Sequence, residues 1–174
     1  MSSIQNFVSS FSKDIARPSR FDVYINLPPA VNQYNTLDSA SSSILYRCES
    51  AQLPGRTLGT TEQKTYGPTE KFPYMTTFND LDLTFIVDDD MSQKMMFDSW
   101  LDYINPLSTN DYRYKEDYSA DIRINQYSVD NKLTYSVNVL DAYPISVNQL
   151  DLDWSSDGHH KLSVTFAYTR WEQY

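Results

Sequence analysis

The feature that most constrains this chain is a two-residue alternation of apolar and polar side chains that recurs along its length. FDVYINL (21–27) puts Phe21, Val23, Ile25 and Leu27 on one side, and ADIRINQY (120–127) does the same with Ile122 and Ile124. KLTYSVNVL (132–140) sets Leu133, Tyr135, Val137 and Val139 against Thr134, Ser136 and Asn138. VNQLDLDW (147–154) aligns Leu150, Leu152 and Trp154, and KLSVTFAYTRW (161–171) aligns Leu162, Val164, Phe166 and Tyr168. Successive side chains of a strand point to opposite faces, so each segment predicts a strand with one buried face. ILYRCESAQL (44–53) and LDLTFIV (81–87) read as further strands. Proline pairs, Pro-Gly and Asp130-Asn131 punctuate the runs as turn signals. The fold class predicted is mainly β, with antiparallel sheets, in a single domain covering 1–174. That length supports one hydrophobic core, and 14 tyrosines with only 4 glycines favour strands.

Two segments break the pattern. Residues 91–104 have helical spacing, with Met96, Phe97, Trp100, Leu101 and Ile104 on one face. Asp90 followed by Gln93 is a capping-box pattern, so the acidic run Asp88-Asp89-Asp90 reads as a helix start rather than a metal site. A second, short amphipathic helix is predicted over 3–12, with Ile4, Phe7, Val8 and Phe11 together. Residues 55–79 are rich in Thr, Gly and Pro and predict either a protruding hairpin or a long loop. Long irregular segments in compact domains are usually functional, and 55–77 is assigned as a contact arm.

Charge and chemistry narrow the function. The net charge is −9, divided as −1 over residues 1–87 and −8 over 88–174. Such a chain repels a phosphate backbone unless a local basic patch intervenes. Cys48 is the only cysteine, which excludes an intrachain disulfide and fits synthesis in a reducing compartment. The N-terminus lacks a signal-peptide pattern, and no apolar run approaches the ~20 residues of a membrane span. A soluble protein made in the cytoplasm, with no membrane partner, is expected. The two histidines, His159 and His160, are adjacent in a polar turn and would point apart on a strand, which makes a poor metal pair. Nucleophile-elbow, phosphate-loop and zinc motifs do not occur. Asp151 and Asp153 share a strand face like a glycosidase carboxylate pair in outline, but on the outer face with no pocket foreseeable. Neither catalysis, a cofactor nor a metal is predicted.

Two segments together are distinctive. IARPSRFDVYI (15–25) stands near the start, and LDAYPISVNQLDLDWSSDGHHKLSVTFAYTRWEQY (140–174) at the end. Between them come CESAQLPG (48–55), FNDLDLTFIVDDD (78–90) and QKMMFDSWLDYI (93–104), in that order. From about residue 14 to 172 the chain resembles the tail tube proteins of contractile-tailed bacteriophages, related in fold to type VI secretion tubes. The loop at 28–43 and the region 55–77 depart from that pattern. The resemblance implies a non-enzymatic virion subunit, built as an antiparallel β-sandwich or barrel with one α-helix packed on its outer side. Its sheets would join those of neighbouring copies into a continuous β-barrel, in hexameric rings stacked inside the contractile sheath. The implied partners are further copies of itself, the sheath protein, baseplate and tail-terminator proteins, and the tape-measure protein. Double-stranded DNA would pass through without specific binding. A tube-initiating baseplate protein of the same superfamily is one alternative, and a carbohydrate-binding β-sandwich another.

An acidic bore with small polar side chains would repel the duplex evenly and let it slide. Lumen-facing candidates on that reading are Asp121, Thr134, Ser136, Asn138, Asp151 and Asp153. Contact candidates between subunits or rings are Arg17, Arg56, Lys64, Tyr66, Lys71, Arg170 and Trp171.

Overall fold

In the computed structural model, residues 3–10, 15–29, 31, 47–64, 66–155 and 157–174 are described. The strands among them are β1 (Phe21–Asn26), β2 (Cys48–Ala51), β3 (Thr57–Gln63), β4 (Glu70–Thr77), β5 (Leu81–Ile86), β6 (Ala120–Tyr127), β7 (Leu133–Val147), β8 (Lys161–Ala167) and β9 (Arg170–Gln173). The helices are α1 (Ser3–Ser10), α2 (Ser92–Ile104) and the single turn α3 (Lys115–Tyr118). All strand pairings are antiparallel. The fold is therefore mainly β with one packed helix of any length. The predicted strand 44–53 is seen as β2; residues 44–46, like 11–12 of the predicted N-terminal helix and most of the loop 28–43, lie outside the described residues.

The long strand β7 organises the molecule because it belongs to two walls. Its first half pairs with β6 and β9, and its second half pairs with β8. The first wall therefore has the order β1-β6-β7-β9, and the second has the order β7-β8-β5-β2. The corner falls at Asp141, whose φ of 54° is left-handed. There β6 pairs Ile122 with Val139 and then Ala120 with Ala142, so two β7 residues oppose one of β6. A bulge of this kind bends a strand and lets it change sheets. Asp121 Oδ1 accepts a hydrogen bond from the Asp141 amide (3.4 Å), holding the corner. Sequence alternation ends the predicted strand at 140, because the corner breaks its phase; β7 continues to Val147.

The β6–β7 connection follows the predicted turn. The Ser128 amide bonds to Lys132 O, the Asn131 amide bonds to Ser128 O, and Asn131 takes φ 57°. A turn closed by a left-handed residue suits a short hairpin loop. The Arg20 guanidinium clamps it by donating to Val129 O and Asn131 Oδ1, both at 2.8 Å.

The inward residues of both walls, including Val23, Leu83, Phe85, Ile122, Ile124, Val137, Val139, Val164 and Phe166, form one core. Helix α2 closes it with Met96, Phe97, Trp100 and Ile104. The Phe97 ring meets Phe85 at 5.2 Å, and Trp100 meets Phe166 edge-on at 6.1 Å. Buried Trp100 satisfies its indole N–H on Tyr118 O (2.9 Å), so α3 serves to hold that acceptor in place.

The start of α2 corrects the predicted Asp90–Gln93 box. Met91 adopts φ 54° at the N-cap, which takes Asp90 out of capping register; Asp90 Oδ1 instead accepts from the Ser92 amide. Buried Gln93 turns to Asp88, donating to its carboxylate (2.9 Å) and accepting from its amide (3.0 Å). Asp88 also pairs with Arg47, tying the helix start to the residue that leads into β2.

The predicted strand 147–154 is not formed; of its inward residues Leu150 packs against the core, whereas Leu152 and Trp154 do not. The ladder of β7 with β8 ends at Val147–Val164. Asn148 then caps it, its side-chain oxygen accepting from the Ser163 amide (2.7 Å). Asp153 accepts from the Ser155 amide and hydroxyl, a local turn that competes with strand pairing. Leu152 and Trp154, expected inside, are exposed.

Candidate functional site

The first wall has one face on the core and one bare. Strand alternation and register place Asp22, Tyr24 and Asn26 of β1 beside Asn125, Arg123 and Asp121 of β6. Asn138 and Ser136 of β7 lie beside them, and Glu172 of β9 stands next to Asn138. The Arg123 guanidinium lies 5.1 Å over the Tyr174 ring, and Ser136 Oγ donates to Asn125 Oδ1 at 2.6 Å. At the far side Tyr127 donates to Asp22 (2.6 Å), which pushes the Tyr127 hydroxyl up to about 12 because the bond favours the neutral phenol; burial and the nearby charge of Asp22 add to it. A shallow concavity of about 410 Å³ lies among Tyr24, Asn26, Asp121, Arg123, Asn125 and Asn138. Three carboxylates and two guanidiniums, those of Arg123 and Arg170, leave this face with a net charge of −1.

Both edges of this wall are open among the described residues. The Tyr127 amide bonds to Arg20 O (2.9 Å), which fixes the phase of β1. Phe21, Val23 and Ile25 therefore turn their backbone N–H and C=O groups away from β6. On the opposite edge the Tyr174 amide bonds to Ser136 O (2.9 Å), so Trp171 and Gln173 direct theirs away from β7. A row of unpaired strand groups is a template for another strand.

The third element is a two-stranded hairpin, β3–β4, that forms a sheet of its own. Nearly every residue in it is exposed, including Leu58, Phe72, Tyr74 and Met75, and Tyr66 stands free at its tip. Gly59 leaves room for the Tyr74 ring, which comes within 3.4 Å of where a side chain would begin. An isolated hairpin is marginally stable in water, and this one exposes apolar side chains on both of its strands.

The sequence profile of the phage tail tube proteins matches residues 16–174. The chain belongs to that family. Its role is accordingly structural and not enzymatic. At the level of sequence no curated protein matches it. Solved structures share the fold of this tail tube protein at low identity. A chain of the anti-feeding prophage baseplate has a TM-score of 0.66 at 15% identity, covering 93% of this chain and 97% of that one. A chain from the sheath/tube terminator of an extracellular contractile injection system has a TM-score of 0.65 at 17% identity, with coverages of 94% and 99%. A third, from the sheath-tube complex of the same system, has a TM-score of 0.65 at 17% identity, covering 100% and 98%.

The residues predicted from the sequence separate into distinct places. Asp121, Ser136 and Asn138 share the bare face of the first wall. Ser136 is almost fully buried there, however, because its small side chain sinks between its neighbours and bonds to Asn125, so it presents little to the solvent. Thr134 is exposed near the β6–β7 turn, as is Leu133, which alternation had placed inside. Asp151 and Asp153 stand on the irregular segment after β7, apart from that wall. Arg56, Lys64, Tyr66 and Lys71 are exposed on the hairpin and its approaches; Lys71 faces Glu62 at 3.9 Å. Arg17 is exposed ahead of β1. Arg170 is exposed and paired with Glu172 (3.1 Å). Trp171 instead packs against the core and donates its indole N–H to Gly55 O (3.3 Å), anchoring the root of the hairpin. Asp22, Tyr24, Asn26, Arg123 and Glu172 went unrecognised in the sequence, although the polar half of FDVYINL already carried the first three.

Among the described residues no group of three or more His, Cys, Asp or Glu side chains could hold a metal, and no helix is long and apolar enough to cross a membrane. Burial pushes the Cys48 thiol up to about 12, against the weaker pull of hydrogen bonds to the backbone of Ser50 and Thr84, so the thiolate is disfavoured.

Proposed function

We propose that six copies of this subunit close into a ring by pairing the β1 edge of one first wall with the β9 edge of the next. The rings stack into the hollow tube of a contractile phage tail. The observation that carries this reading is the four-stranded wall, whose two edges have no strand partner among the described residues, with its bare polar face. Closing a sheet on itself removes its edges. Six such walls make a barrel of about 24 strands. At roughly 4.8 Å per strand and a tilt near 40°, its backbone is about 45–50 Å across, and side chains leave a bore of roughly 35 Å. That width admits a DNA duplex.

On this reading the bare face lines the channel, with Asp121 and Asn138 in the lumen. Its weak net negative charge, with carboxylates and guanidiniums interspersed, gives the phosphates no continuous cationic track, so the DNA slides. The hairpin β3–β4, with Arg56, Lys64, Tyr66 and Lys71, reaches the adjacent ring; Arg17 and Arg170 are further contacts between subunits. The sheath protein, the terminator and baseplate proteins and the tape-measure protein are the partners of such a tube, and the virion is its place.

Negative-stain microscopy of the purified protein at rising concentration tests the reading. Rings or hollow tubes with a bore near the stated width are expected. A species that stays monomeric at all concentrations counts against it.

A further inference from the structure

The segment between β7 and β8 has no explanation within the subunit. Leu152 is 86% exposed, and Trp154 is as exposed as a free side chain. The run Leu150-Asp151-Leu152-Asp153-Trp154 keeps a strand-like alternation, yet makes no backbone ladder among the described residues. It borders a groove of about 570 Å³ that also includes His159 and Lys161. Its acidic residues, Asp151, Asp153 and Asp157, are all exposed.

Strand register places this segment relative to the hairpin. Strand β5 begins beside Phe166, at the end of β8, and finishes beside Lys161, at its start. The hairpin leaves β2 and returns into β5 at the first of these poles, where Phe78 meets Tyr168 at 5.9 Å. The segment 148–160 connects β7 to the start of β8 at the other. The two features thus emerge at opposite ends of the second wall, roughly 20 Å apart by strand length. They are also complementary. The hairpin region 55–77 carries Arg56, Lys64 and Lys71 against two glutamates, and Arg56 and Lys64 have no ion-pair partner among the described residues. Each side exposes aromatic and aliphatic surface, Leu58, Phe72 and Tyr74 on one and Leu152 and Trp154 on the other.

We infer that the Leu152–Trp154 segment is the receptor for the β3–β4 hairpin of a second copy in the next ring. This rests on the stacking role proposed for the hairpin and names the surface it meets. Donor and receptor at opposite poles make a head-to-tail contact that never satisfies itself within one subunit. Such heterologous interfaces propagate into filaments. The buried aromatic contact supplies affinity, and the opposed charges select the register.

The test uses the full chain. Leu152→Ala with Trp154→Ala, and separately Asp151→Lys with Asp153→Lys, alter exposed residues and are expected to keep the parent's melting temperature. Each pair should raise the concentration needed for tube formation by about tenfold or more. Adding Lys64→Glu and Lys71→Glu to the aspartate reversal should bring assembly back toward the parent. In a Cys48→Ser background, Lys64→Cys with Asp153→Cys should form disulfides linking subunits of successive rings. If deleting 58–70 abolishes stacking while both loop pairs polymerise like the parent, the receptor assignment falls and the hairpin's role stands. If the deletion itself leaves normal tubes, the hairpin's role falls and this inference with it. If the reversed loop blocks tubes but the reversed hairpin gives no recovery and no inter-ring disulfide forms, the loop serves another partner, such as the sheath, and the pairing is overturned.

Discussion

Replacing Gln173 by proline isolates the ring contact from everything else the subunit does. Gln173 is exposed in β9, and its amide faces away from β7 because the Tyr174 amide donates to Ser136 O. Proline there removes only a donor on the open edge; the pairing of Asn138 with Glu172 remains. The preceding residue is already extended, which proline requires of its neighbour. Within the subunit the change should therefore leave the melting temperature nearly where it was. Between subunits it deletes one backbone hydrogen bond at every β1–β9 junction. A net value of about 1 kcal/mol per bond, repeated at six junctions, amounts to roughly 6 kcal/mol per closed ring, or about four powers of ten in ring stability. Gln173→Ala keeps the amide and serves as the control. Sedimentation velocity across a concentration series, with negative-stain images of the same samples, reads the outcome. Rings that form equally well in the proline and alanine variants would refute the pairing of these two edges.

Further outcomes concern the core, the thiol, the polar face and the channel. Trp100→Ala should lower folding stability by about 3–5 kcal/mol, since it empties the space beside Phe97 and Phe166, and urea denaturation measures it. Cys48 should react slowly with an aromatic disulfide reagent at pH 8 in the native protein and rapidly in urea; equal rates would contradict its burial. The Tyr127 hydroxyl is raised from 10 to about 12 in the folded state, so its contribution is fully present below pH 10 and is lost as pH rises through 12. The parent should thus show a fall in melting temperature over that window that is smaller in Tyr127→Phe. Asp121→Lys with Glu172→Lys changes the bare face from a net −1 to +3 per subunit. Tails that assemble with this variant should deliver DNA more slowly, and unchanged delivery would count against a channel lined by this wall.

Much of this molecule was legible in the order of its side chains. Alternation in FDVYINL, ADIRINQY and KLSVTFAYTRW dictated strands with Val23, Ile122, Ile124, Val164 and Phe166 inside, because a pleated chain has no other way to bury every second residue. Helical spacing around Phe97 and Trp100 dictated the one packed helix, and the quoted segments pointed to the family. What the sequence left undecided is everything that depends on a partner strand. LDLDW has the same alternation as true strands, but whether it pairs is settled by where the β7–β8 ladder stops, and that stop lies at Asn148. Ser136 reads as outward and polar, and only its neighbour Asn125 on another strand buries it. The corner at Asp141 carries the strand predicted over 132–140 on to Val147, since a bulge is a property of two strands in register. Trp171 reads as a surface contact until the hairpin root at Gly55 arrives beside it. Local periodicity fixes which way a side chain points; only the assembled sheets determine what stands opposite it.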